Sequence, residues 1–116
     1  MARIRHLAIV TSNRERLVRF YTVAFGMRVI YGREGATHLS DGAFNLAILD
    51  KRENLPEGLH VIGLDVEETG DLAGSLAKAG ASPDLITMPK DHDAEYRALD
   101  PDGNRLDLSI HGWPIG

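Results

Sequence analysis

His6-Leu7-Ala8-Ile9-Val10 is the stretch on which the fold turns, because Val61-Ile62-Gly63-Leu64-Asp65 opens a second pass through the same pattern. After each comes a helical segment closed by glycine, at Gly26 and at Gly80, and later a strand, Asn45-Leu46-Ala47-Ile48 in the first copy and Asp107-Leu108-Ser109-Ile110 in the second. The chain reads as one unit written twice. Duplication pairs positions that are remote in sequence, and here they include a histidine and two carboxylate-like slots.

Working outward, the first strand runs from about Arg3 to Val10, and the following Ser12-Asn13-Arg14-Glu15 has the form of a capping box, with Ser12 as cap and Glu15 reaching back. Leu17, Phe20, Tyr21, Ala24 and Phe25 recur at helical spacing and define one apolar face, and Gly26 supplies the left-handed ending. Three strands are expected next, over Met27–Tyr31, Ala36–Ser40 and Ala43–Leu49. Residues 51–58, with Asn54, Pro56 and Gly58, read as a linker. The second copy has a strand over His60–Val66, a helix capped at Thr69 with Leu72, Leu76 and Ala79 on its stripe, and strands over Leu85–Met88, Tyr96–Leu99 and Arg105–Ile110. Pro101 and Gly103 make Asp100-Pro101-Asp102-Gly103-Asn104 a hairpin turn. The expectation is an α+β chain of two βαβββ modules, about 1–50 and 59–116, within a single domain 1–116.

The chain has 116 residues, enough for one core but not for two independent ones, so the copies are expected to share a core or a sheet. Its 13 basic residues are scattered among 17 acidic ones, which gives no footprint for nucleic acid or an anionic membrane and favours a small-molecule partner. The absence of cysteine excludes disulfides, thiolate metal sites and cysteine nucleophiles. No signal-peptide run or membrane-length apolar segment is present, and a cytoplasmic location is expected.

Strand alternation sorts the side chains by face. Leu7, Ile9, Leu46, Ile48, Ile62, Leu64, Leu106, Leu108 and Ile110 form the apolar face expected beneath the helices. The opposite face carries His6, Ala8, Asn45, Ala47, Val61, Gly63, Asp107 and Ser109, small or polar groups that suit a concave, partly wet ligand pocket. His6 and Asp107 stand out because imidazole and carboxylate are usual ligands for zinc, nickel, manganese or iron(II), although an ordinary histidine and aspartate on a solvated face would look the same.

The order of motifs resembles the vicinal oxygen chelate superfamily of glyoxalases, bleomycin-resistance proteins and extradiol dioxygenases. The likeness rests on the opening strand with His6, Phe20-Tyr21 and Phe25-Gly26 around the helix end, Leu39-Ser40-Asp41-Gly42, and Asp100-Pro101-Asp102-Gly103-Asn104 before the last strand. It implies that the modules form a curved, incomplete barrel around a divalent metal that acts as a Lewis acid. The family's four metal positions fall on His6, Asn45, Val61 and Asp107, so His6, Asp107 and Asn45 are the implied metal ligands. Asp107 doubles as the candidate catalytic base. Val61 can coordinate nothing. His60, one residue before that slot, should face away unless a bulge beside Gly63 re-aims it.

His111 is in phase with Asp107 and Ser109 and would join the pocket if the last strand continues. His38 and His92 reach either a cavity mouth or water, with water the simpler expectation, and Trp113 is a packing or dimer contact. Two functions compete. One is a metal-dependent lyase, isomerase or dioxygenase acting on a small oxygenated metabolite through a degenerate metal site. The alternative is a metal-free protein of the bleomycin-resistance type that binds a drug or aromatic metabolite. Either is expected to act as a homodimer.

Overall fold

The computed structural model describes residues 2–67 and 72–116, and the chain divides into two compact units. The first is Arg5–His60 with Pro114–Gly116; the second is Val61–Trp113 with the N-terminal residues up to Ile4. Eight strands and two helices occur among the described residues, an α+β arrangement.

The first unit holds β1 (Arg3–Thr11, from Arg5 on), α1 (Arg14–Phe25), β2 (Arg28–Arg33), β3 (Ala36–Ser40) and β4 (Asn45–Asp50). The strands lie in the order β2-β3-β4-β1, antiparallel except for the parallel pair of β4 and β1. That parallel pair needs a long crossover, which α1, β2 and β3 supply. Between β3 and β4 the Asp41 carboxylate accepts the N–H groups of Ala43 at 2.8 Å and Phe44 at 2.7 Å. Those two bonds hold its pKa below the ordinary value and fix the turn that sets the β3–β4 register.

Helix α1 is capped by Asn13, whose side chain accepts the N–H of Arg16, while the Asn13 N–H donates to Thr11 Oγ1. The expected cap at Ser12 is therefore displaced by one residue; the Ser12 N–H donates to Glu57 instead. Gly26 ends the helix with φ of 68°, as its position implied. Leu17, Val18 and Tyr21 of the helix pack with Leu7, Ile9 and Met27 on the buried cluster of Leu39, Leu46 and Ile48. Burying a side chain such as Leu39 or Ile48 contributes about 1.5–3 kcal/mol. Phe20 and Phe25, read from spacing as part of the buried stripe, are 51% and 69% exposed. The sheet accepts a narrower strip of helix than the hydrophobic pattern offers.

The second unit holds β5 (Gly58–Asp65, from Val61 on), α2 (Leu72–Lys78), β6 (Ile86–Thr87), β7 (Tyr96–Leu99) and β8 (Arg105–Ser109). Its order, β5-β8-β7-β6, with β5 and β8 parallel, repeats the first unit's pattern. The expected cap at Thr69 lies outside the described residues. Before β8, Asp100 accepts the N–H groups of Asp102 and Asn104, and Gly103 takes φ of 85°, so the turn forms as its composition requires.

Candidate functional site

In the first unit the ladders set His6 beside Asn45, Asn45 beside Ser40, and Ala47 between Ala8 and His38. Neighbours across a ladder share a face, so His6, Ala8, His38, Ser40, Asn45 and Ala47 lie together. Asn45 is the hub. Its Oδ1 accepts from His6 Nδ1 at 2.8 Å and from His38 Nδ1 at 2.9 Å, and its Nδ2 donates to the Pro114 carbonyl at 2.7 Å. Because an amide oxygen only accepts, both histidines carry hydrogen on Nδ1, and in the neutral ring the lone pair is on Nε2. His38 stacks on Tyr31 with ring centroids 4.1 Å apart, and His6 stacks on His38 at 6.1 Å. Ser40 Oγ donates to the Ile115 carbonyl at 2.5 Å and accepts the Gly42 N–H at 2.9 Å.

This face was expected to be partly wet, and it is closed. His6 is 5% exposed and Asn45 is fully buried. Ala8, Ala47 and His38 are buried with them, so His38 faces the interior rather than water. The alanine side chains there are small, and Pro114 and Ile115 contribute backbone oxygens to the same place.

In the second unit β8 runs between β5 and β7, so Asp107 has Gly63 on one side and Arg97 on the other. Gly63 offers no side chain. Arg97 supplies two charge-assisted bonds, Nε to Oδ1 at 2.6 Å and Nη2 to Oδ2 at 3.1 Å, and thereby engages both oxygens of a carboxylate that is only 2% exposed. His92 Nδ1 accepts the Ala94 N–H, which puts the hydrogen of the neutral ring on Nε2, 3.8 Å from Asp107 Oδ2. Val61 is buried, and so is Ser109, whose hydroxyl donates to the Asp93 carbonyl at 3.0 Å and accepts the Gly112 N–H at 2.9 Å.

His111 does not extend the pocket. β8 ends at Ser109, the chain turns through Gly112 at φ of 79°, and the His111 side chain stays largely exposed against Glu95. Burial pushes the Glu95 carboxyl up, but the bonds from His111 and the Ile110 N–H outweigh it and hold the group below its ordinary pKa.

The structure thus brings His6 and Asn45 together and gives Asp107 a different partner, Arg97. His60 precedes Val61 on a strand whose register from Ile62 to Asp65 is regular, without a bulge beside Gly63 to turn it. Trp113 is 7% exposed, in keeping with a packing role. Arg97 escaped sequence reading, and His38 was expected in water; the place of each depended on strand register, β3 on β4 and β7 on β8, which no local pattern displays. Among the described residues no three His, Cys, Asp or Glu side chains are grouped to hold a metal.

Comparison with curated proteins finds no match. Among solved structures the chain resembles a hypothetical protein from Bacillus halodurans, with 14% identity over 92% of each chain and a TM-score of 0.67. It also resembles a methylmalonyl-CoA epimerase from Streptomyces coelicolor in complex with 2-nitronate-propionyl-CoA, with 20% identity over 97% of each chain and a TM-score of 0.63. A third likeness is to a 2,3-dioxygenase from Pseudomonas, with 17% identity, 98% of this chain against 42% of that one, and a TM-score of 0.72. These likenesses carry the fold. The profile of the Glyoxalase/Bleomycin resistance protein/Dioxygenase superfamily matches residues 3–108. The repeated βαβββ pattern and that match agree, and the chain belongs to the Glyoxalase/Bleomycin resistance protein/Dioxygenase superfamily.

Proposed function

We propose that the protein is a small-molecule binding protein of the bleomycin-resistance type that works without a bound metal. The observation that carries this reading is the Arg97 guanidinium on both oxygens of Asp107. A divalent cation does not fit that donor set. To reach Asp107 it would have to displace a bidentate arginine, and a unit positive charge about 4 Å from a guanidinium is repelled by about 4 kcal/mol at the effective dielectric near a protein surface, a divalent ion by more. Val61 offers no ligand, and the Asn45 oxygen already accepts two imidazole N–H groups. Within the first unit, His6, Asn45, Ala8 and Ala47 combine few directional polar groups with small neighbours, a composition that suits an organic guest better than an ion.

The reading includes a homodimer, for which the exposed Phe20, Val23 and Phe25 of α1 offer apolar surface. Calorimetric titration of the purified protein with zinc, nickel, manganese and iron(II) is expected to show no stoichiometric site. A thermal-shift screen of cationic antibiotics and planar aromatic metabolites is expected to find stabilising ligands in metal-free buffer. Stoichiometric metal binding that disappears in His6→Ala and Asp107→Ala, or metal-dependent turnover of a diol or thiohemiacetal, would establish the enzymatic alternative instead.

A further inference from the structure

The two modules differ in charge. Residues 5–60 carry eight Lys and Arg against six Asp and Glu, whereas residues 61–113 carry four against eleven. Each module also leaves apolar side chains uncovered, and the charge contrast falls on those same surfaces.

In the first unit the uncovered surface is the outer stripe of α1. Leu17, Val18 and Tyr21 turn to the sheet, while Arg16, Arg19, Phe20 and Val23, spaced i, i+3, i+4 and i+7, are exposed along the other side. Val23 is 70% exposed, and Phe20 meets Phe25 edge to face with ring centroids 5.7 Å apart, which makes the aromatic surface contiguous. Arg28 and Val29, at the start of β2, are exposed next in the chain. Glu15 is the one acidic residue of α1, so the surface is positive.

In the second unit the uncovered surface is the β6–β7 ribbon. Ile86 is 55% exposed and Leu99 42%. Ile86 pairs with Arg97, and Leu99 lies two residues beyond Arg97, so both share its face. Antiparallel pairing sets Asp84, before β6, and Asp100 and Asp102, after β7, at one end of the ribbon. Arg105 pairs with Leu99 and offsets one of these three carboxylates, while Asp107 neutralises Arg97, so the surface is negative.

We propose that the β6–β7 surface of one copy of the chain is the docking site for α1 of a second copy, with Arg16 and Arg19 turned toward Asp84, Asp100 and Asp102 around a contact of Phe20 and Val23 with Ile86 and Leu99. This pairing rests on the homodimer of the proposed function and adds which surfaces meet in it. Setting α1 on α1 would bury the same apolar stripe, but a two-fold axis there brings like arginines together, which opposes association. Joining the basic surface to the acidic one buries both apolar patches and cancels charge. In a two-fold dimer each copy supplies one surface of each kind, so the contact is made twice.

Sedimentation at micromolar concentration tests the pairing. The native chain is expected to run as a dimer that weakens as salt rises from about 0.05 M to about 0.5 M, an arm that needs no variant. Two chains reversed at exposed positions, one with Arg16→Glu and Arg19→Glu and the other with Asp84→Lys and Asp102→Lys, are each expected to dimerise at least about ten-fold more weakly, because each then sets like charges against one another. Mixed in equal amounts, the two reversed chains are expected to form a heterodimer, since the mixture restores opposite charges in both contacts.

A native dimer that tightens with salt, or one left unweakened by Asp84→Lys with Asp102→Lys, is the behaviour of α1 on α1; either overturns this docking and leaves the homodimer standing. Absence of a heterodimer from a mixture of folded reversed chains overturns the docking as well. A native chain that sediments as a monomer overturns the homodimer and the docking together, so the two failures are told apart.

Discussion

Replacing Arg97 by alanine should be among the most damaging single changes outside the apolar core. The guanidinium makes bonds of 2.6 and 3.1 Å to Asp107, a side chain 2% exposed, and is itself mostly buried. Removing one partner of a buried ion pair leaves the other charge uncompensated and costs about 3–5 kcal/mol. Gly63 cannot replace the lost donors, while His92 Nε2, 3.8 Å from the carboxylate, can swing closer and recover part of the loss. A cost of about 3 kcal/mol is therefore expected, a large share of the roughly 5–15 kcal/mol that stabilises a typical domain. With a urea slope of about 1.5 kcal/mol/M, the midpoint should fall by about 2 M with the slope unchanged. Introducing Asp107→Asn into the Arg97→Ala chain removes the stranded charge and should restore at least about 1 kcal/mol. A midpoint shift under about 0.3 M, or no recovery in the double variant, would refute the argument that Arg97 exists to neutralise Asp107.

Two glycines separate conformational strain from steric contact. Gly26→Ala, at φ of 68° with no atom within 4 Å of the added Cβ, should cost about 1 kcal/mol in thermal unfolding. Gly112→Ala has a similar φ of 79° but places its Cβ 3.2 Å from Asp65 Oδ1, so it should cost more, about 2 kcal/mol; equal losses would show that the contact relaxes freely. Glu95 supplies a pH test. Its pKa is lowered in the folded chain, so its contribution to stability is present above the unfolded value near 4.5 and is lost as pH falls through the lower folded value. The stability gap between the native chain and Glu95→Gln, followed by urea unfolding, should therefore close on acidification below that value; a gap independent of pH would rule the linkage out.

The fold was legible because its signals are local and repeated. Alternation at His6–Val10 and again at Val61–Asp65 marks equivalent strands, and Gly26 and Gly103 adopt the positive φ their turn positions call for. Helix α1 shows where local signals mislead. Its spacing offers Phe20, Phe25 and Leu17 alike to a core, but only the strip through Leu17, Val18 and Tyr21 meets the sheet. The cap is Asn13 rather than Ser12, although both are good cap residues: the Asn13 side chain accepts the Arg16 N–H, while the Ser12 and Asn13 N–H groups donate to Glu57 and Thr11.

By itself the sequence determined which residues share a face, because a strand's period of two is set by covalent geometry. It thereby matched His6 with Val61 and Asn45 with Asp107 as equivalent slots of the two copies. Only tertiary structure decided what those slots do, since a polar group's role depends on the partner that reaches it through space. Register put Arg97 against Asp107, strand pairing put His38 against Asn45, and the returning chain laid the carbonyls of Pro114 and Ile115 on Asn45 and Ser40. None of these partners is adjacent in sequence, and each changes what chemistry its slot can perform.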